Sequence, residues 1–388
     1  MKKLILIFLS LIILLAAIVF FLNPDGIYQL SDKTAQFIPQ QAVPEELVSL
    51  KAKDCGVCHS EIYQEWQTSL HAKAFTDPFF TAYLKKDKGD PTCLVCHTPL
   101  LNQSPVILSS KSGDDYPHKW TDLESSPNPD FDPELQQEGV TCAACHLKDG
   151  IIYGPYKKKS LNAPHPVAYD ENFLKKSLCQ QCHEVPSKDF SLMNEGVCST
   201  GMESNSGLWS AKGFVCQDCH MPPVTRPLMT GYPAREGRKH LWPGGYSARQ
   251  LQKVFTFRAK KNKDTINITI TNSGAGHKAP TGDPDRFIIL DFFWIDENGQ
   301  KSNLESIEFK RQIVWQPVMF VLSDNRLAPG ESTLLSITAP DITGKLYVDG
   351  TYHVMTDRSL KRLKDKFELK NEWPVHRPFI KKQKIDIH

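Results

Sequence analysis

Ten of the eleven cysteines fall in five pairs of one spacing, and a histidine follows the second cysteine every time. The runs are CGVCH (Cys55, Cys58, His59), CLVCH (Cys93, Cys96, His97), CAACH (Cys142, Cys145, His146), CQQCH (Cys179, Cys182, His183) and CQDCH (Cys216, Cys219, His220). Two thiols three positions apart can each add to one vinyl group of a haem. The next residue then lies under the iron, where its imidazole is the proximal ligand. Five covalently bound haems c are therefore expected. A zinc ribbon also uses Cys-x-x-Cys pairs but has no reason to place histidine after each. A thioredoxin-like pair would occur once, beside a βαβ pattern. A disulfide framework leaves the five histidines unexplained. Cys198, in EGVCST, has no partner and no following histidine, and reads as an ordinary free thiol.

An iron held this way has a sixth position. Histidine there makes a low-spin electron carrier, whereas an open position admits a substrate. Thirteen histidines less the five proximal ones leave eight. Five of these, His71, His118, His165, His240 and His277, lie between the first motif and residue 277, one for each haem. His353, His376 and His388 lie beyond.

His71 closes the segment CGVCHSEIYQEWQTSLHAKA, in which Ile62, Trp66, Ser69 and Leu70 recur at helical spacing. On a helix, twelve positions cover about 18 Å. Two nitrogens across one iron are only about 4 Å apart. His59 and His71 are thus expected to serve different irons. His165 lies between prolines that hold it extended, and His240 lies in the turn-rich GRKHLWPGGY. His277 sits on a Gly/Pro loop between two strand patterns. His118 falls in a polar, proline-rich excursion over 103–138, so its haem is the candidate for an open position. Met193, Met202, Met221 and Met229 are in range, but read as packing residues.

The elements around these residues divide the chain. Lys2 and Lys3 precede nineteen mostly apolar residues, Leu4 to Leu22. This predicts an uncleaved anchor in the cytoplasmic membrane, with the remainder on the periplasmic side. Residues 23–50 read as a tether. Residues 51–248 read as a haem domain of short helices with little regular structure, its apolar core supplied by the macrocycles. From 249 the pattern becomes alternating strands (KVFTFRAK, TINITIT, FIILDFFWID, TLLSITA, LYVDGTYHVM), which predicts an all-β immunoglobulin-like sandwich to 388. Its basic tail, from Asp357, reads as solvated and only partly ordered. The fold class is thus mixed. A formal net charge of only +2 gives no sign of nucleic-acid binding.

The first segment, with Trp66, Ser69, His71 and Ala74 after its Cys-x-x-Cys-His, resembles the tetrahaem cytochrome family typified by the electron acceptor of hydroxylamine oxidoreductase. GVTCAACH followed by APHP, CQDCHMP followed by His240 and Gly244-Gly245, and NSGAGHKAPTGDPDR resemble segments of the wider superfamily and its appended β-domains. The resemblance implies closely stacked, mostly bis-histidine haems passing electrons along a wire. Pentahaem nitrite reductases of that superfamily carry Cys-x-x-Cys-Lys at the active haem, and all five motifs here end in histidine. The expected function is electron carriage between a donor, such as a membrane quinol-oxidising complex, and another redox protein. The alternative is a reductase or oxidase of a small nitrogen or sulfur species at one five-coordinate haem.

Overall fold

The structure is a computed structural model that describes residues 2–22, 37–89, 91–110, 123–157, 163–185, 196–315, 320–370 and 373–387. Its helices are α1 (Lys2–Leu22), α2 (Ala52–Gly56), α3 (Ser60–Thr68), α4 (Pro78–Lys86), α5 (Pro91–His97), α6 (Pro133–Gln137), α7 (Cys142–His146), α8 (Ser177–His183), α9 (Thr200–Glu203), α10 (Leu208–Ala211), α11 (Cys216–His220), α12 (Ala248–Leu251) and α13 (Asp357–Phe367). Before residue 249 the strands are short: β1 (Val106–Ser110), β2 (Leu123–Pro127), β3 (Leu147–Lys148), β4 (Ile151–Gly154), β5 (Val167–Tyr169), β6 (Pro223–Pro227) and β7 (Ala234–Arg238). After it come β8 (Phe255–Asn262), β9 (Thr265–Asn272), β10 (Phe287–Asp296), β11 (Lys301–Val314), β12 (Phe320–Asp324), β13 (Ser332–Thr338), β14 (Gly344–His353) and β15 (His376–Ile385). The class is mixed, with short helices first and antiparallel sheets after.

The C-terminal strands form a five-stranded sheet, β12-β11-β10-β14-β15, and a three-stranded sheet, β13-β9-β8. β9 shows how the sequence sets the faces. Ile266, Ile268 and Ile270 alternate inward and are fully buried, while the residues between them point out. β10 lies between two neighbours and is buried over nearly its whole length, which suits its unbroken apolar run FIILDFFWI. Inward residues of both sheets join one core, with Ile268 and Phe255 from one and Leu290, Phe292 and Leu346 from the other. Each such side chain stabilises by about 1.5–3 kcal/mol.

The 51–248 region is built differently. Among the described residues the buried cluster of its own is only Leu100, Leu135, Ala143 and Leu147, joined by Leu50 just before it. Four of the five motifs coincide with one- or two-turn helices, α5, α7, α8 and α11. The first follows α2, where the His59 N–H donates to the Cys55 carbonyl at 2.9 Å. A helical turn brings positions i, i+3 and i+4 to one side, so each pair of thiols and its histidine share a face.

Several expectations change. The helix after the first motif ends at Thr68, because Ser69 turns into extended backbone, and His71 stands in the turn beyond it. The two strands around His277, β9 and β10, belong to different sheets, so residues 273–286 cross between layers. The tail from Asp357 is ordered as α13 and as β15, which pairs with β14 and buries Phe379 and Ile385.

The membrane anchor is overturned. Among the described residues no helix is long and apolar enough to cross a membrane. The helix Lys2–Leu22 opens on two lysines, which leaves at most nineteen positions for an apolar run, about 28 Å at ~1.5 Å per residue against a hydrocarbon layer of ~30 Å. The placement on the periplasmic side of the cytoplasmic membrane, which rested on that anchor, falls with it.

Candidate haem-binding site

One continuous cavity of about 2800 Å³ runs through the 51–248 region and against the C-terminal sheets. Pockets for a single small ligand are about 300–1,000 Å³, so this space is built for more than one. Its wall carries the ten motif cysteines, the five motif histidines, and His71, His165, His240 and His277. His118 lies outside the described residues.

The histidines face each other in pairs. Ring centres are 6.5 Å apart for His59 and His165, 6.2 Å for His71 and His183, 6.3 Å for His146 and His240, and 6.3 Å for His220 and His277. Each pair joins one motif histidine to one distant in sequence. Two imidazoles on opposite sides of a metal, with bonds of about 2 Å and each nitrogen roughly 1 Å from its ring centre, have centres about 6 Å apart. Backbone carbonyls accept from Nδ1 in most of them: Leu228 for His59 (3.1 Å), Tyr153 for His146 (2.7 Å), Pro243 for His220 (2.7 Å), Arg238 for His240 (3.0 Å) and Lys278 for His277 (2.8 Å). That fixes the tautomer and leaves Nε2 for a metal. Burial, reinforced by neighbouring histidines, pushes His71 down to about 3 and His183 and His240 to about 4. Their imidazoles are neutral, the form that ligates.

His97 differs. Its Nδ1 meets the Ala74 carbonyl at 2.6 Å, and Phe80 stacks on it at 3.7 Å and 6°. No histidine ring stands opposite it among the described residues. Burial brings it to about 4, opposed by the Ala74 carbonyl and assisted by the charge of Arg286.

The thiols also meet across motifs. Cys55 contacts Cys142, Cys96 contacts Cys182 and Cys179 contacts Cys216, and none forms a disulfide. Motifs 1 and 3, 2 and 4, and 4 and 5 are therefore neighbours. The residues fit haem. No disulfide ties up the thiols, four histidine pairs have metal-spanning spacing, and the buried Trp209 Nε1 in the wall lacks a protein partner among the described residues. An indole N–H of that kind suits a porphyrin carboxylate.

Supporting residues position the distal histidines. Gly139, at φ +62°, runs under the His71 turn, and the Val140 N–H donates to the His71 carbonyl at 2.9 Å. A Cβ on Gly139 would lie 2.7 Å from that carbonyl oxygen, so glycine is required. Glu65 on α3 takes a two-pronged bond from Arg226 on β6 (2.8 Å each) and one from the His240 N–H (2.8 Å). Trp242 lies 4.6 Å from His71 and 5.2 Å from His240.

The loop of His277 is locked to α9 from below. Arg326 bonds Glu203 at 2.9 Å and Asp324 at 2.8 Å, with the Arg326 and Glu203 side chains only 3% and 2% exposed. Thr281 donates to Glu203 at 2.5 Å, and Lys278 reaches Asp324 at 3.1 Å. Sequence reasoning missed these supports, since no spacing or motif links Glu65 to Arg226 or Glu203 to Arg326.

A family model described as "Cytochrome c554 and c-prime" matches residues 54–115. No curated protein matches the chain. Among solved structures, a penta-heme cytochrome c552 from Thermochromatium tepidum matches with a TM-score of 0.58 at 19% identity, covering 86% of this chain and all of that one. At that identity the likeness establishes the shared fold. The match over the first two motifs, that fold and the cavity geometry together support a multihaem cytochrome c.

Proposed function

We propose that the chain is a pentahaem c-type cytochrome that carries electrons between redox proteins. Haem, when bound, supplies one-electron exchange at iron. The chain's residues do the rest. Each pair of thiols holds one group, and the motif histidine takes one axial position. The partner histidine (His165, His71, His240 or His277) fills the other side at four of the five sites. The observation that carries this reading is the set of four histidine pairs at 6.2–6.5 Å. The thiol contacts between motifs support two sets of neighbours, motif 1 with motif 3, and motifs 2 and 5 joined through the fourth; Cys145 of the third motif also lies near enough to feel Cys182 of the fourth. A haem domain over 51–248 and an immunoglobulin-like sandwich over 249–388 belong to the same proposal, supported by the change from a cavity-centred to a sheet-centred core. The test is haem content together with low-temperature EPR of the oxidised protein. Five haems with at least four low-spin irons are expected. Fewer than four low-spin irons per chain would sink the bis-histidine assignment.

A second reading is favoured by one observation. His97 has no histidine opposite it among the described residues, and His118 lies outside them; on this reading the haem of His97 is five-coordinate and open to a small nitrogen or sulfur species. A single high-spin ferric signal that shifts on adding nitrite or hydroxylamine is expected on this reading. Five low-spin irons would remove it.

A further inference from the structure

The wall beside His97 holds a cluster that haem attachment and axial ligation leave unexplained. Arg286 follows the turn Pro280-Thr281-Gly282-Asp283-Pro284 and lines the cavity together with Tyr246 and Tyr352. Its guanidinium is hydrogen-bonded to the Tyr352 hydroxyl, and its charge is felt at both His97 and His183. Gly245 lets Tyr352 in, because a Cβ there would lie 2.6 Å from the hydroxyl oxygen. Behind Tyr246, Arg377 stacks with its guanidinium carbon 3.2 Å from the ring centre. Arg377 is 9% exposed, and its Nε donates to the Pro374 carbonyl at 2.7 Å. Its Nη2 is buried with no hydrogen-bond partner among the described residues.

Two carboxylates stand near these arginines, and each has a local bond. Asp77 caps α4 by accepting from the Phe79 N–H at 2.7 Å, and Asp283 accepts from the Asp285 N–H at 2.8 Å. Tyr83 donates to Asp285. Arg286, Tyr246 and Tyr352 all line the cavity, and Arg377, stacked on Tyr246, adds a second positive charge behind them, so this stretch of wall presents a guanidinium and two phenols to an acceptor from outside the polypeptide. Planar guanidinium forks and phenol hydroxyls match the oxygens of a carboxylate or a small oxyanion.

We propose that Arg286, Tyr246 and Tyr352, backed by Arg377, form an oxyanion clamp beside the haem of His97. Two sources supply that chemistry, a propionate of the haem itself or a free small oxyanion at the open position. The clamp rests on the reading that a haem hangs from Cys93 and Cys96.

The test uses the full haem-loaded chain and its Arg286→Gln, Arg286→Lys and Tyr352→Phe forms. Haem count is measured first, then redox titration, then EPR during titration with sodium nitrite and sodium sulfite. If a propionate fills the clamp, Arg286→Gln lowers the midpoint potential of one haem, and Arg286→Lys, which keeps the charge, recovers most of it. The anions then leave the wild-type spectra unchanged. If a free oxyanion fills it, the wild type shows a saturable shift of the high-spin signal. Arg286→Gln weakens half-saturation at least tenfold and Tyr352→Phe weakens it less. Unchanged potentials and unchanged anion response in both Arg286→Gln and Tyr352→Phe, at full haem count, would overturn the clamp. Fewer than five haems in the wild type would instead defeat the attachment reading, which keeps the two failures apart.

Discussion

At the residue scale, the distal histidines depend on a few backbone positions that hold their turns. Gly139 is the sharpest case. A side chain there meets the His71 carbonyl at 2.7 Å on backbone that L residues rarely adopt. Gly139→Ala should therefore push the His71 turn outward and convert one low-spin haem to high-spin. EPR should show the same single-haem conversion as His71→Ala, and an unchanged spectrum would mean that the turn tolerates the side chain. His277→Ala should produce its own single conversion, assigned to the last motif because His277 faces His220.

At the element scale, the crossing loop between β9 and β10 is held to α9 by a buried charge network. Replacing one partner, as in Arg326→Met, strands Glu203 at 2% side-chain exposure and should cost about 3–5 kcal/mol. Pairing it with Glu203→Gln removes the stranded charge, so the double variant should lose less than the single one. Equilibrium denaturation of both variants checks this. The same network gives a pH dependence. Burial alone would raise Asp324, but bonds and charge from Arg326 and Lys278 outweigh it and hold the carboxyl below its ordinary value. The unfolded chain takes up this proton near pH ~4 and the folded chain only below that. The contribution is therefore full above about pH 4 and is lost as pH falls through the folded value. Thermal midpoints measured from pH 6 to pH 3 should drop more steeply for the wild type than for Asp324→Asn.

At the scale of the whole molecule, two cores of different kinds are joined. The sheets have a conventional apolar interior, where Ile268→Ala should cost about 2–5 kcal/mol. The 51–248 region surrounds a cavity of about 2800 Å³ with only a small cluster of its own. Chain made without haem attachment should therefore be cut by protease within 51–248 while a fragment from about 249 onward survives. Equal resistance of both halves would show that the first half folds without its cofactors.

The sequence by itself was decisive about local chemistry. Five Cys-x-x-Cys-His runs are contacts within one helical turn, and β9 and β10 reveal their faces through alternation and continuous apolarity, so neighbours along the chain carry the signal. Pairing histidines is another matter. His59 with His165 and His220 with His277 are joined across 106 and 57 positions, and no periodicity records such a match. The helix through His71 was over-extended because apolar spacing cannot reveal that Ser69 turns the chain. The tail was read as solvated because Lys and Arg alternate with the apolar residues that pair against β14. The clamp residues Tyr246, Arg286, Tyr352 and Arg377 lie on four separate segments, and only the packing of the sheets against the cavity assembles them.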